Sequence, residues 1–161
     1  MTDAPAPAGS CIFCRIVAGT APAHRVWEND EHLAFLSIFP NTEGITVVIP
    51  KRHHSSYAFA LPPEVYQGLT VAARQVGLLL DKAFDDVGRT AMVLEGFGVD
   101  HVHAKLIPLH GTATQGEWKP ICSNINTYFT TYQGYISSHD ADLATDEALA
   151  NVAERIRQAA R

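Results

Sequence analysis

Apolar residues along the chain fall into several short runs and one long helical pattern. Five of the short runs predict strands. The clearest of them is residues 45–49, where every side chain is β-branched. Asn29 to Glu31 lies between the first two runs and is typical of a hairpin turn. The predicted strands are residues 25–28, 33–37, 45–49, 90–95 and 101–107.

Three helices are predicted around these strands. The longest begins at the Pro62-Pro63 pair, because proline fits the first helical turn, and continues to about Asp86 with one apolar face. Residues 11–18 predict a short helix, and a C-terminal helix is predicted near Thr145, a residue favoured at helix N-caps. Strands on both sides of one long helix, joined by short turns, indicate an α+β fold with a mostly antiparallel sheet.

The length of 161 residues fits one domain that buries a core without disulfide bonds. A hydrophobic content of 47% and a charged content of 18% are typical of a soluble globular chain. We expect residues 1–9 to be a disordered tail and residues 10–161 to form a single domain. Residues 111–141 are poorly patterned, which indicates a functional loop or a wrap over the surface.

The charge of the chain limits its partners. A net charge of −5 argues against a broad basic surface and therefore against a nucleic-acid polymer, but it is compatible with a cationic pocket for one nucleotide. No apolar run approaches the roughly 18–20 residues of a membrane span, and the N-terminus has no signal-peptide pattern. We therefore expect no membrane association and a cytoplasmic location.

Two histidines and a lysine alternate with apolar residues in the last predicted strand. Because side chains two apart share a face, His101, His103 and Lys105 are expected on one side of the sheet. Three side chains able to carry positive charge suit a phosphate group, and imidazole can attack phosphorus to give a covalent intermediate. The alternative is an exposed strand face that is merely polar. The opposite, core-facing side would carry Val102, Ala104 and Leu106.

A glycine-rich stretch, Gly96-Phe97-Gly98-Val99, comes directly before these histidines. Glycine lets backbone approach a ligand closely and present N–H donors to anionic oxygens. Gly98 and Val99 are therefore candidate phosphate-binding positions.

The cysteines point to a metal. Cys11 and Cys14 have the two-residue spacing of paired zinc ligands, and thiolate with imidazole suits a closed tetrahedral site. A reduced pair without metal is one alternative. A redox pair is another, although no thioredoxin-like βαβ pattern surrounds it. The isolated Cys122 is expected to be a buried thiol.

Taken in order, these motifs resemble the histidine-triad (HIT) superfamily, and in particular its zinc-containing bacterial members. The glycine-rich turn is followed by Val-x-His-x-His-x, a hydrophobic pair and Pro108, as in the signature strand of that family. Similar stretches are Cys11 to Gly19, Leu33 to Leu36 and Val48 to His53. The resemblance covers a signature region at 11–108 and leaves a C-terminal extension at 109–161 unexplained.

The resemblance implies an α+β fold on a five-stranded antiparallel sheet and a homodimer, formed through an edge strand or the long helix. It also implies hydrolysis or transfer of nucleotidyl groups from nucleoside phosphoramidates or dinucleoside polyphosphates. His103 would be the nucleophile that takes the nucleotidyl group. A structural Zn²⁺ would be held by Cys11 and Cys14 together with His53 and His101, with His54 as an alternative to its neighbour.

The chain departs from the family pattern at three of the expected nucleotide-binding positions. Lys105 stands where the third histidine is expected, and its ammonium can stabilise charge but does not readily exchange a proton at neutral pH. Ser37, next to Ile38, stands where an acidic residue often holds the ribose. Glu95 stands where an amide is expected near the phosphates. The alternative functions are therefore a catalytically impaired nucleotide-binding protein, or a zinc-stabilised interaction protein that uses the C-terminal third.

Overall fold

The computed structural model describes residues 11–113, 117–122, 124, 127–134 and 142–160. The predicted tail at 1–9 lies outside the described residues. The secondary-structure elements are helix α1 (Ile12–Val17), strands β1 (Arg25–Glu28), β2 (His32–Leu36) and β3 (Thr46–Pro50), a 3-10 helix (Ala58–Ala60), helix α2 (Pro63–Ala83), strands β4 (Thr90–Val93) and β5 (Ala104–Pro108), and helix α3 (Asp146–Gln158).

All five strands form one sheet in the order β1-β2-β3-β5-β4, and every neighbouring pair is antiparallel. This arrangement confirms the predicted α+β class and the five-stranded antiparallel sheet. Two predicted strands are shorter than expected, since β4 ends at Val93 and β5 begins only at Ala104. His101 and His103 therefore precede the last strand, and their prediction as strand residues is wrong. The backbone N–H groups of His101 and Val102 donate to loop carbonyls instead of to a sheet ladder.

Helix α2 covers one face of the sheet. Its buried side chains include Leu69 and Leu80, each with no exposed surface, and burial of one such leucine contributes about 1.5–3 kcal/mol. The facing side chains Val102, Ala104 and Leu106 lie in the same core, as the alternation predicted. Helix α2 ends three residues earlier than predicted, where the backbone of Phe84 becomes extended.

Helix α3 packs against α2 and β1 at the edge of this core. Thr145 caps it as predicted, since its hydroxyl accepts a hydrogen bond from the Ala148 N–H at 3.3 Å. Ile156 and Ala153 bury its apolar face. None of the described helices is long and apolar enough to cross a membrane.

The opposite face of the sheet is covered only in part. Helix α1 packs there through Phe13 and Ile16 onto side chains of β2 and β3, among them Phe35 and Ile49. The same face of β5 and β4 carries Lys105, Ile107, Val93 and Ala91, all of which are partly exposed. The sheet thus has an open surface beside the segment that carries the two histidines.

Candidate active site and metal centre

Four predicted metal ligands meet at the N-terminal end of α1. One donor atom from each of Cys11, Cys14, His53 and His101 lies within 4.8 Å of the other three. The Cys11 Sγ is 3.5 Å from the Nδ1 of His101. The Cys14 Sγ is 3.4 Å from the Nδ1 of His53 and 3.7 Å from the Nδ1 of His101.

These separations fit a tetrahedral metal site. With Zn–S near 2.3 Å and Zn–N near 2.05 Å, a tetrahedral angle places sulfur and nitrogen about 3.6 Å apart. Of the two adjacent histidines, His53 and not His54 contributes its imidazole to this cluster. The backbone carbonyl of His54 instead accepts a hydrogen bond from the Val102 N–H at 2.9 Å, which ties the two histidine segments together.

The tautomer of His101 also suits a metal ligand. Its Nε2 lies 2.9 Å from the Pro50 carbonyl, which can only accept, so Nε2 carries the proton. The Nδ1 that faces the two sulfurs is then a bare lone pair, the usual arrangement of a ligating histidine whose second nitrogen is held by backbone. Burial lowers the pKa of His101 to about 4, so the ring is neutral at physiological pH.

The thiol of Cys14 must lose a proton before it can bind a metal. Burial, the hydrogen bond with Cys11 and the charge of Cys11 raise its pKa to about 11. Metal binding at this cluster would therefore release protons and become weaker as the pH falls.

The ring of His103 is held in one tautomer. Its Nδ1 lies 2.7 Å from the His101 carbonyl oxygen, so Nδ1 donates the proton and Nε2 keeps its lone pair. Burial, assisted by the positive charge of Lys105, lowers the pKa of His103 against the opposing effects of that hydrogen bond and of Glu95. The Phe13 ring and the imidazole of His103 form a T-shaped pair, with 5.4 Å between ring centroids. His103 is thus a buried, oriented and neutral imidazole.

The glycine-rich loop is fixed against the segment that follows His53. Gly96 has a φ of 72°, and a Cβ there would lie 2.7 Å from the Ser56 carbonyl oxygen, so only glycine fits without strain. The Asp100 carboxylate accepts a hydrogen bond from the Ser56 N–H at 2.9 Å. The close approach at Gly96 is therefore to protein backbone. Gly98 has open space around its missing Cβ and retains the predicted possibility of contacting a ligand.

The remaining predicted site residues include two that affect the charge of His103 and two that follow β2. Lys105 and Glu95 both act electrostatically on His103, and Lys105 lies between Val47 and Val93 in the sheet register. Ser37 follows β2, and its hydroxyl accepts a hydrogen bond from the Phe39 N–H at 3.3 Å.

Beside Ser37, the Ile38 side chain is 44% exposed, and the Ile38 carbonyl accepts a hydrogen bond from the Ala144 N–H of the C-terminal extension. Val99 is partly buried and packs against the residues beneath α1.

A groove of about 900 Å³ lies on the open half of the sheet face. Its floor is formed by Ala91, Val93 and Ile107, and residues 117–121 of the C-terminal extension line it from the other side. Trp118 lines this groove although its side chain is 75% exposed. This segment has no periodic pattern of apolar residues, and only the expectation of a functional loop or a surface wrap at 111–141 pointed towards it.

Several other side chains lie outside the metal cluster. The His110 ring is held 3.0 Å from an Asp86 carboxylate oxygen and 2.9 Å from the Glu43 carbonyl. His24 pairs with Asp146 at 3.0 Å. Cys122 is exposed, so its prediction as a buried thiol is wrong. Cys122 belongs to neither apolar core formed by the described residues.

The chain belongs to a known protein family. Residues 18–112, more than half of the chain, match the HIT domain family model, and the chain is a member of the HIT family. It is 34% identical over 107 residues to an uncharacterized 16.1 kDa HIT-like protein of Mycoplasma pneumoniae, with 64% of this chain and 74% of that protein covered. It is 33% identical over 113 residues to the adenosine 5'-monophosphoramidase HNT1 of Candida albicans, with 65% and 74% covered.

Solved structures agree on the fold. A Zn-bound histidine triad family protein from Mycobacterium smegmatis superposes with a TM-score of 0.67 at 23% sequence identity, and the match covers 95% of this chain and 94% of that one. Because the match covers nearly all of the chain, the fold similarity extends into the C-terminal extension that the sequence resemblance left unexplained.

Proposed function

We propose that the protein is a nucleotidyl hydrolase or transferase that works through a covalent nucleotidyl intermediate on His103. The observation that carries this proposal is the 2.7 Å hydrogen bond from the His103 Nδ1 to the His101 carbonyl, because it leaves Nε2 as an oriented lone pair. The name of the Candida albicans relative, an adenosine 5'-monophosphoramidase, supports the same reaction class.

In this reaction the Nε2 of His103 attacks the phosphorus of the substrate. A bond forms between nitrogen and phosphorus, and the bond from phosphorus to the leaving group breaks, with the leaving group keeping its electron pair. Water or another acceptor then attacks the same phosphorus and loses a proton to solvent. The nitrogen–phosphorus bond breaks, and its electron pair returns to the Nε2 of His103. Lys105 and the backbone N–H groups of Gly98 and Val99 stabilise the charge that develops on the phosphate oxygens.

Ser37 and Ile38 are proposed to contact the nucleoside. The Ser37 hydroxyl retains a proton to donate to a ribose oxygen, although one of its lone pairs is used by the Phe39 N–H. The exposed Ile38 side chain offers an apolar surface for a base. Glu95 is proposed to balance the charge of Lys105 near the phosphate.

We also propose that one structural Zn²⁺ is held by the four-residue cluster of Cys11, Cys14, His53 and His101. The sulfur–nitrogen separations of 3.4–3.7 Å and the bare Nδ1 of His101 support this assignment. When bound, the ion would fix His101, whose carbonyl orients His103. It would lie outside the reaction and join α1 to the histidine segment.

The test of the function is a turnover screen of the purified protein against adenosine 5'-phosphoramidate and diadenosine tri- and tetraphosphate. Release of AMP from at least one of them is expected. A second candidate, a nucleotide-binding protein without turnover, is favoured by Lys105 in place of the third histidine. Tight binding of AMP together with no turnover of any substrate would select that candidate.

Lys105 is expected to matter through its charge. Replacing it with alanine removes a cation beside the reacting phosphate, and loss of one such electrostatic partner typically costs about 10²–10³ in rate. We expect Lys105→Ala to lower kcat by that factor and Lys105→His to recover part of it, because histidine rebuilds the family pattern. Steady-state kinetics of both variants test this. An alanine variant within threefold of wild type would show that Lys105 has no such role.

A homodimer is proposed through β4 and α2. Among the described residues β4 is an edge strand of the sheet, and the apolar side chains of Met92 on β4 and Leu78 on α2 are each 47% exposed. We expect light scattering to give twice the chain mass of 17.5 kDa for wild type and the monomer mass for Met92→Glu. Leu143→Glu, at an exposed leucine elsewhere, is the control. A wild type that stays monomeric at all accessible concentrations would contradict the proposal.

A further inference from the structure

The groove on the open half of the sheet face begins beside Lys105 of the proposed reaction centre, since Val93, which lines the groove, is the register partner of Lys105. Lys105 and Ile107 lie two residues apart on the same face of β5, with Val93 and Ala91 as their partners on β4. The backbone contact continues past the strand, where the Leu109 N–H donates to the Arg89 carbonyl. At about 3.3 Å per residue, the floor extends about 13 Å from Lys105 to Leu109.

The lining of this groove suits a planar aromatic group. Its floor is apolar, and Trp118 from the C-terminal extension faces the groove with most of its ring in contact with solvent. An exposed indole above an apolar floor offers stacking surface on one side and dispersion contacts on the other. The volume of about 900 Å³ lies within the range of small-molecule sites and exceeds what a small amine leaving group would fill.

The rim of the groove carries two cationic side chains. Arg89 and Lys119 line it together with the carboxylate of Glu117, and His110, which also lines it, is held by the Asp86 carboxylate at 3.0 Å. The contact between Lys119 and Glu117 is long, at 3.8 Å, and both side chains are exposed, so it holds the lysine only weakly. Arg89 is an exposed residue, and the planar fork of its guanidinium matches the geometry of phosphate oxygens.

We propose that this groove is the subsite for the leaving nucleotide of a dinucleoside polyphosphate, with its base against Trp118 and its phosphates along Arg89 and Lys119. The inference rests on the proposed function and narrows its substrate class. When the Nε2 of His103 bonds to the attacked phosphorus, the bridging P–O bond breaks. The departing nucleotide keeps that oxygen and its electron pair and leaves through the groove. A nucleoside phosphoramidate reacts at the same centre without filling the groove.

The first experiment compares two substrates in the same variants. Trp118→Ala is expected to lower kcat/KM for diadenosine tetraphosphate about tenfold, since one base–aromatic stack is worth that much or more. Arg89→Ala is expected to lower it by a similar factor, about tenfold, because it removes a charged contact to the phosphates. Both variants are expected to stay within twofold of wild type for adenosine 5'-phosphoramidate. Tyr128→Ala, at an 86% exposed aromatic of the same extension that does not line the groove, is the matched control. Equal losses for both substrates, or no loss for either, would overturn the proposal.

The second experiment does not depend on turnover. The chain has two tryptophans, and Trp27 packs against the main core, so a ligand in the groove should quench mainly Trp118. Diadenosine tetraphosphate is titrated into His103→Asn protein, which should not consume it. If wild type turns over neither substrate, the proposed function fails, and the titration is made with wild type. We expect a saturable quench that Trp118→Phe removes and that Arg89→Ala shifts to about tenfold higher concentration. The absence of any quench would overturn the proposal of a subsite. A Trp118→Ala variant whose main effect is a change of oligomeric state, measured by light scattering, would also overturn it.

Discussion

Removing the imidazole of His103 is expected to abolish turnover and leave the protein folded. His103→Asn is the sharpest variant, because its side-chain N–H can still donate to the His101 carbonyl while no nucleophilic nitrogen remains. Loss of a covalent nucleophile lowers kcat by on the order of 10⁴–10⁶ where the group has been removed in other enzymes. We expect a loss in this range for each substrate that wild type turns over.

Steady-state assays with AMP release as the readout test this expectation. His103→Ala serves as a second variant, and it also removes the contact with the Phe13 ring. Circular dichroism and metal content are measured in parallel, so that a loss of activity through unfolding is recognised. Activity of His103→Asn within tenfold of wild type would exclude His103 as the nucleophile.

Loss of one ligand from the metal cluster is expected to remove the zinc and much of the stability. A ligand present at a thousand times its Kd stabilises the folded state by about 4 kcal/mol. The binding free energy of structural zinc is usually larger than this, at about 10 kcal/mol or more. We expect Cys14→Ser and His53→Ala to contain less than a tenth of an equivalent of zinc and to lose about 4 kcal/mol or more of unfolding free energy. Elemental analysis and urea unfolding measure the two quantities.

The adjacent His54 supplies the matched control. Its ring lies outside the cluster, so His54→Ala should retain one zinc per chain. Cys122→Ser controls for loss of a thiol at an exposed position and should also retain the metal. Zinc that persists in His53→Ala but is lost in His54→Ala would contradict the geometry. Wild-type protein that is stably folded and free of metal would contradict the zinc proposal itself.

The fold could be predicted from the sequence where the pattern is periodic. β-branched residues at 45–49 and the apolar face of the long helix predicted a strand and a helix at the right places, because burial on one face repeats with the period of the element. The prediction was wrong at 101–103. The alternating pattern continues through His101, but backbone hydrogen bonds to Val99 and His54 take the donors away from the sheet. Such non-local bonds leave no periodic signal.

The candidate site was predictable to the extent that its chemistry is local. The Cys-x-x-Cys spacing places two thiols on one helical turn, and the structure places them together. The family resemblance favoured His53 over His54, and the structure places His53 in the cluster. The residue pattern alone could not make that choice, because both residues follow the end of β3, where the two-residue alternation no longer applies. Trp118 reaches the sheet from a segment without regular structure, and its position depends on contacts far along the chain.

The central claim is that His103 carries the nucleotidyl group during turnover. The most direct measurement is rapid mixing of wild-type protein with substrate, acid quenching within a single turnover, and mass spectrometry of the digested protein. We predict a nucleotidyl adduct on the peptide that contains His103, which forms and decays at rates compatible with kcat and is absent from His103→Asn. Product formation in a single turnover with no adduct on His103 at any time point would contradict the account.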